Sequence, residues 1–180
     1  VGTDLSAEAV RGAQTRGLAA YQVNLDRQPL PFADASFDVV VSDSQIEHRV
    51  DFERYLDECA RVLRADGRLI MCVPNAAHWW VRWRLLQGHF PYVANTPTDW
   101  LHLRFFTLPD LRRLLAQRGV TIAQVDGSAS LWVAGLYPGW LRRRPMARLY
   151  ESLAGWRPTL FARDLIILAH KQAGQARERS

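Results

Sequence analysis

Cysteine, lysine and long apolar runs are all scarce in this chain. Two cysteines, Cys59 and Cys72, in 180 residues exclude a disulfide-stapled secreted scaffold. The longest stretch without a charged residue, 127–141, holds 15 residues broken by glycine, serine and proline. A membrane-spanning helix needs ~20 apolar residues, so none is expected. No signal-peptide pattern opens the chain, and a cytoplasmic location is the expectation. There is no initiator methionine either: the chain begins Val1-Gly2-Thr3-Asp4. No two of the eleven glycines stand two residues apart, so a GxGxG turn is missing. The Gly12–Gly17 pair is followed by Leu18-Ala19 rather than Lys-Ser/Thr, which excludes a P-loop. The five histidines (His48, His78, His89, His102, His170) and the two cysteines never fall at a CxxC or HExxH spacing, so no metal site is expected. Without a GxSxG elbow, a serine hydrolase has no support.

What is present points to a globular domain. Hydrophobic residues make up 48% of the chain and charged residues 23%, too apolar for disorder, and a chain of this length can bury ~68–70% of its unfolded surface. Charge is divided unevenly. Residues 1–60 carry eleven acids and five arginines, whereas residues 61–180 carry seven acids and eighteen bases. Because 22 of the 23 bases are arginine, part of this excess reads as compositional habit.

Periodicity predicts strands over Gly2–Leu5, Ala20–Asn24, Phe37–Ser42, Arg68–Val73, Val120–Val125 and Phe161–His170. FDVVVS and RLIMCV are continuous apolar runs, the pattern of strands buried on both faces. Helices are expected over Ala7–Arg16 capped by Ser6, from Asp51 to a stop at Asp66-Gly67, over Ala77–Gln87, from Thr107 to Gly119, and from Pro145 to Gly155. The alternation predicts an α/β fold, Rossmann-like and doubly wound, with a mostly parallel sheet and an antiparallel last strand. One domain is expected over residues 1–171, with a polar, disordered tail over 172–180.

Two acids stand where such sheets bind ligands, beyond the carboxyl ends of strands. Asp4 can accept both hydroxyls of a ribose, or it can share the capping of the next helix with Ser6; the residue alone leaves both open. Asp26 sits at the tip of a polar loop that re-enters the next strand through Leu30-Pro31-Phe32. It can accept from an adenine amino group, or it can be an ordinary turn aspartate.

GTDLSAEAV, NLDRQPLPFADASFDVVVS, IEH, ECARVLRADGRLIMCVPN, HLRFFTLPDLRRLLAQRGV and FARDLIILAHK, in that order, resemble class I S-adenosylmethionine-dependent methyltransferases of the type 11 group. PNAAHWWVRWRLLQG and HLRFFT are similar to its MetW-like branch. The resemblance implies S-adenosylmethionine as cofactor, with Asp4 and Leu5 at the ribose, Asp26 and Arg27 at the adenine, and Ser42, with Asp43, near the methionine end. It leaves the catalytic residue unknown. His48 of the Glu47-His48 pair, and Asp43, are the candidate bases, with a structural role for His48 as the bland reading. The family's glycine-rich loop lies ahead of the position matched by Asp4. Its absence implies a domain lacking one strand, loop and helix, and a piece inactive without them.

The implied acceptor is a small molecule, a glycan or a lipid-like compound. Leu131–Arg157 interleaves Trp132, Tyr137, Trp140, Tyr150 and Trp156 with arginines. It reads as a pocket wall, as a peripheral membrane contact, or as an ordinary connection with aromatics turned inward. Two other functions stay open. One is a nicotinamide-dependent enzyme using Asp4. The other is a non-catalytic module binding a partner enzyme, since MetW-like proteins are associated with a homoserine acyltransferase. Nucleic acid is not an expected partner, because no recognition module accompanies the basic half.

Overall fold

The computed structural model describes residues 1–133 and 136–173. Six strands and six helices alternate as β1 (Gly2–Asp4), α1 (Ala7–Gln14), β2 (Ala20–Gln22), β3 (Phe37–Asp43), α2 (Phe52–Val62), β4 (Leu63–Pro74), α3 (Trp79–Leu86), α4 (Leu108–Ala116), β5 (Val120–Ser128), α5 (Arg144–Trp156), α6 (Pro158–Phe161) and β6 (Asp164–Lys171). The pairing is parallel for β1–β2 and β3–β4, and antiparallel for β4–β6 and β6–β5. The architecture is the expected α/β fold with an antiparallel last strand.

The strands form two sheets, β1-β2 and β3-β4-β6-β5. Between β1 and β3 runs a groove of about 300 Å³, walled by Val1, Gly2 and Thr3 on one side and by Val39, Val40 and Val41 on the other. The split corrects one expectation. β3 is an edge strand, so FDVVVS is not buried on both faces: Val39 is 46% and Val41 67% exposed. β4, flanked by β3 and β6, alternates between fully buried Leu69, Met71 and Val73 and half-buried Ile70 and Cys72.

α2 packs Tyr55, Leu56, Cys59 and Val62 inward at helical spacing, and the Asp51 side chain accepts the Arg54 N–H at 3.0 Å to cap it. It ends at Val62 rather than at Asp66-Gly67. Leu63, wholly buried, already pairs with Phe37, and the ladder shifts register before Val39 meets Arg68. Residues 64–67 form the resulting bulge, with Asp66 at a left-handed φ of 62°. α4 begins at Thr107, as expected, with a capping box formed by Thr107 and Asp110. Leu111, Leu114 and Leu115 join α2, β4, β5 and β6 in the main core.

Three further boundaries differ from expectation. β2 stops at Gln22, because Val23 and Leu25 leave the strand to bury themselves in the core. β5 continues to Ser128 alongside Asp164. Phe161 belongs to the short α6, so the last strand starts three residues later, at Asp164. Of the tail, Gln172 donates its backbone N–H to the Gly119 carbonyl and its side-chain amide to Thr121 Oγ1; residues 174–180 lie outside the described residues.

The segment between β5 and β6 builds a second core of Val133, Leu136, Tyr137, Leu141, Tyr150 and Ala154, with Trp79 and Trp80 of α3 against it. Asn75, wholly buried just after β4, fastens this unit to the sheet. Its amide nitrogen lies 2.9–3.2 Å from the carbonyls of Pro158, Thr159 and Ala162, and its oxygen accepts the Ala77 N–H. Aromatics of the arginine-rich segment therefore divide by polarity of environment: Tyr137 and Tyr150 are buried, whereas Trp132, Trp140 and Trp156 are exposed. No helix among the described residues is long and apolar enough to cross a membrane.

Candidate functional site

The carboxyl ends of β1 and β2 share one rim, as do those of β3 and β4, and the hydrogen bond from Val50 N–H to Asp26 brings the segments beyond the two rims together. Asp164, which pairs with Pro74 and opens the antiparallel β6, lies on the rim of β3 and β4. Asp4 ends β1 as an exposed residue whose Oδ1 accepts the Ser6 N–H at 2.7 Å. Ser6 in turn accepts the Ala9 N–H, so the local capping role is real. A carboxylate offers about four lone-pair sites, and one hydrogen bond leaves capacity for a ligand hydroxyl. Leu5, next along, is 57% exposed.

Asp26 is more heavily engaged. Its turn is closed by Arg27 and Gln28 N–H groups on the Asn24 carbonyl. Its Oδ1 accepts the Val50 N–H at 3.1 Å, and its Oδ2 stands 3.6 Å from the Arg49 guanidinium. Arg27 is exposed beside it. Ser42 is only 1% exposed, and its hydroxyl accepts the buried Tyr55 hydroxyl at 2.8 Å. Its side chain thus serves the packing of α2 on β3, leaving Asp43 as the exposed strand-end side chain, which lines the groove together with Gln45. Ser44 turns the chain at a left-handed φ of 49°.

Beyond that turn a 3₁₀ helix, Ile46–His48, presents the Glu47-His48 pair. The loop 99–104 is stitched to it: Leu103 and Arg104 N–H groups donate to the Glu47 carbonyl at 2.8 and 3.1 Å. Glu47 is buried, and burial holds its carboxyl above the usual carboxylate range, against the opposing pull of nearby His48. The half-buried His102 faces His48 edge to face at 5.0 Å, and burial lowers its tendency to protonate. Sequence spacing gave no reason to join His102 to Glu47-His48; the fold brings them together.

Cys59 lies in the main core, whereas Cys72 is only half-buried. Cys59 is buried and its thiol pushed up to about 12, chiefly by burial. His78 is fully buried, 3.2 Å from both Tyr137 and Tyr150 hydroxyls. Burial drives its imidazole down to about 3, so it is neutral and structural.

Known proteins resemble this chain in sequence and in fold. A protein of Mycobacterium tuberculosis (strain ATCC 25618 / H37Rv) named "Probable S-adenosylmethionine-dependent methyltransferase Rv3030" is 39% identical over 54% of this chain and 31% of its own length. "Arginine-hydroxylase NDUFAF5, mitochondrial" of Danio rerio is 27% identical over 93% of this chain and 51% of its own. The chain thus spans about half or less of these curated relatives. Among solved structures, a SAM-dependent methyltransferase from Thermotoga maritima superposes over 96% of this chain and 73% of its own, with a TM-score of 0.62 at 19% identity. That likeness supports the Rossmann-like methyltransferase fold. Residues 1–143 match the family described as "Methionine biosynthesis protein MetW", and the chain belongs to the MetW family.

Proposed function

We propose that this chain forms the ribose–adenine side and the acceptor side of an S-adenosylmethionine-dependent methyltransferase. The observation that carries the reading is the placement of Asp4 and Asp26, which follow the adjacent parallel strands β1 and β2 on the ligand-binding rim. Residues on that rim fit part of the cofactor. An exposed carboxylate at Asp4 suits a ribose diol, and Asp26, with the Arg27 N–H region beside it, suits an adenine edge. The glycine-rich turn that would approach the methionine part is absent from these 180 residues. We therefore also propose that a further parallel strand fills the groove between β1 and β3, whose facing backbone edges pair with nothing among the described residues.

When bound, the cofactor supplies an electrophilic methyl on a sulfonium. The chain's own contribution is alignment and exclusion of water. Asp43 would border the methionine end of the cofactor, and the Glu47-His48 turn after it would offer a further candidate base. The unit between β5 and β6 walls the acceptor side and includes an apolar cavity of about 340 Å³ lined by Trp79, Leu141, Met146, Tyr150 and Phe161. That lining favours an acceptor with an apolar body over a free sugar. Calorimetric titration of the protein as its gene encodes it with S-adenosylmethionine tests the reading: saturable binding lost in Asp4→Ala supports it, and no binding sinks it.

One observation favours a second reading, a module that binds a partner enzyme. Trp83, Leu86, Trp100 and Leu101 are 55%, 81%, 67% and 73% exposed. Trp83 and Leu86 line one apolar depression with Trp79 and Leu160, and contiguous apolar exposure marks interaction surfaces. Absence of cofactor binding, with retention of a partner acyltransferase in a pull-down, would favour this reading.

A further inference from the structure

Among the described residues, Glu47 is a buried carboxylate left without a hydrogen-bond donor. Glu47 is 1% exposed, and neither of its carboxylate oxygens has a hydrogen-bond partner among the described residues. Its nearest described cation-forming group is His48 Nε2, at 3.9 Å. A buried carboxylate without a donor costs several kcal/mol unless it is protonated or meets a cation.

Two imidazoles stand close to it, each with Nδ1 engaged by a backbone carbonyl. His48 Nδ1 lies 3.0 Å from the Leu101 carbonyl, and His102 Nδ1 lies 3.1 Å from the Pro97 carbonyl. A carbonyl oxygen only accepts, so each Nδ1 carries the hydrogen and each Nε2 presents its lone pair. Backbone carbonyls behind histidine ligands orient metal sites in this same way. One donor atom each from Glu47, His48 and His102 lie within 4.8 Å of one another. The two Glu47-carbonyl hydrogen bonds hold the 3₁₀ turn against the 99–104 loop. His48 is 42% exposed in its side chain, which gives an ion a path from solvent and leaves coordination positions open.

We propose that Glu47, His48 and His102 bind one divalent transition-metal ion. Two imidazoles and a carboxylate suit Zn²⁺, Co²⁺, Fe²⁺ or Mn²⁺, and they suit Mg²⁺ or Ca²⁺ poorly because those ions prefer all-oxygen shells. The site follows β3 on the ligand-binding rim. Its open positions would therefore hold oxygen atoms of the methyl acceptor, a role that rests on the methyltransferase reading. Metal binding itself does not.

The test uses the full chain, stripped with a chelator and titrated with Co²⁺ alone. A visible d–d absorption saturating at one equivalent is expected. His102→Gln and His48→Gln should weaken that binding ~100-fold or more, since even outer-shell changes cost 10–100-fold, whereas His89→Gln should not alter it. Glu47→Gln removes a buried group and could disturb folding; the half-exposed His48 variant avoids that, with circular dichroism of the metal-free proteins as the check. Zn²⁺ should raise the melting temperature of the parent protein and leave that of His102→Gln unchanged. No saturable Co²⁺ band, or a band that survives His102→Gln, overturns the site and leaves Glu47 a protonated buried acid. Titration with S-adenosylmethionine on the same metal-free protein separates the two ideas: failure there removes the acceptor role but not the metal site.

Discussion

The Asp26 carboxylate receives the Val50 backbone N–H at 3.1 Å, tying the turn after β2 to the segment that carries Glu47 and His48. The turn proposed to face the adenine and the Glu47-His48 turn are thus joined through one side chain.

Substituting Asp26→Asn should leave an oxygen to accept from Val50 while removing the charge that faces Arg49 at 3.6 Å. A hydrogen bond to a charged group contributes ~1.5–3 kcal/mol. S-adenosylmethionine should therefore bind roughly ten- to a hundredfold more weakly, while urea midpoints change little. Calorimetry in parallel with denaturation checks both. Unchanged affinity would make Asp26 a turn residue and nothing more.

Gly127→Ala should destabilise the junction of β5 with the second core. A Cβ there would meet the Ala154 carbonyl at 2.5 Å, Ala162 Cβ at 2.5 Å and Pro158 Cβ at 3.0 Å. Backbone on two elements would have to move, and overpacking of this kind costs ~1–3 kcal/mol. At ~2–4 °C per kcal/mol for a chain of this size, the melting temperature should fall by about 2–12 °C. Gly12→Ala, where an added Cβ meets nothing, is the matched control.

His78 sets a pH dependence of stability. Burial holds its folded pKa at about 3, against ~6.5 in an unfolded chain. Below pH 6.5 the unfolded chain takes up a proton that the folded one refuses, so stability falls with pH in the window from 6.5 down to about 3. Between pH 6.5 and 5 this group alone should account for ~1.5–2 kcal/mol of lost stability. His102, also lowered by burial, adds in the same direction. The raised Glu47 carboxyl acts oppositely, because its folded state keeps a proton that the unfolded chain loses. Chemical denaturation of His78→Gln against the parent isolates the first contribution. Equal pH slopes for the two proteins would count against a neutral, buried His78.

Hydrogen exchange reads the groove between β1 and β3. In the protein as its gene encodes it, amides of Gly2–Asp4 and Phe37–Asp43 that face the groove should be strongly protected if a strand pairs there. Exchange at the rate of open strand edges would refute the added strand.

Much of the fold was legible because its signals are local. Ser6, Asp51 and the Thr107–Asp110 box mark helix starts through hydrogen bonds made within four residues. The apolar spacing of α2 and the continuous run in β4 report burial directly. Boundaries failed where a distant partner outvoted the local pattern. α2 yields at Leu63 because Phe37 pairs with it, and Phe161 leaves the strand pattern for α6, which lies against Asn75.

For the site the division is similar. Motif order alone picked out Asp4, Leu5, Asp26, Arg27 and Ser42 and gave the family. It could not say that the Ser42 hydroxyl turns inward to Tyr55, that Asp26 is held by Arg49 and Val50, or that β3 is exposed along Val39 and Val41. Those facts depend on which strands are neighbours. The juxtaposition of His102 with Glu47 and His48 is the clearest case. The sequence by itself determined an α/β chain of the MetW family with acids at strand ends, because periodicity, caps and motif order are carried by consecutive residues. Only the tertiary structure decided where those acids' hydrogen bonds go and which imidazoles meet a buried carboxylate, because such contacts are set by loops folding back across a sheet.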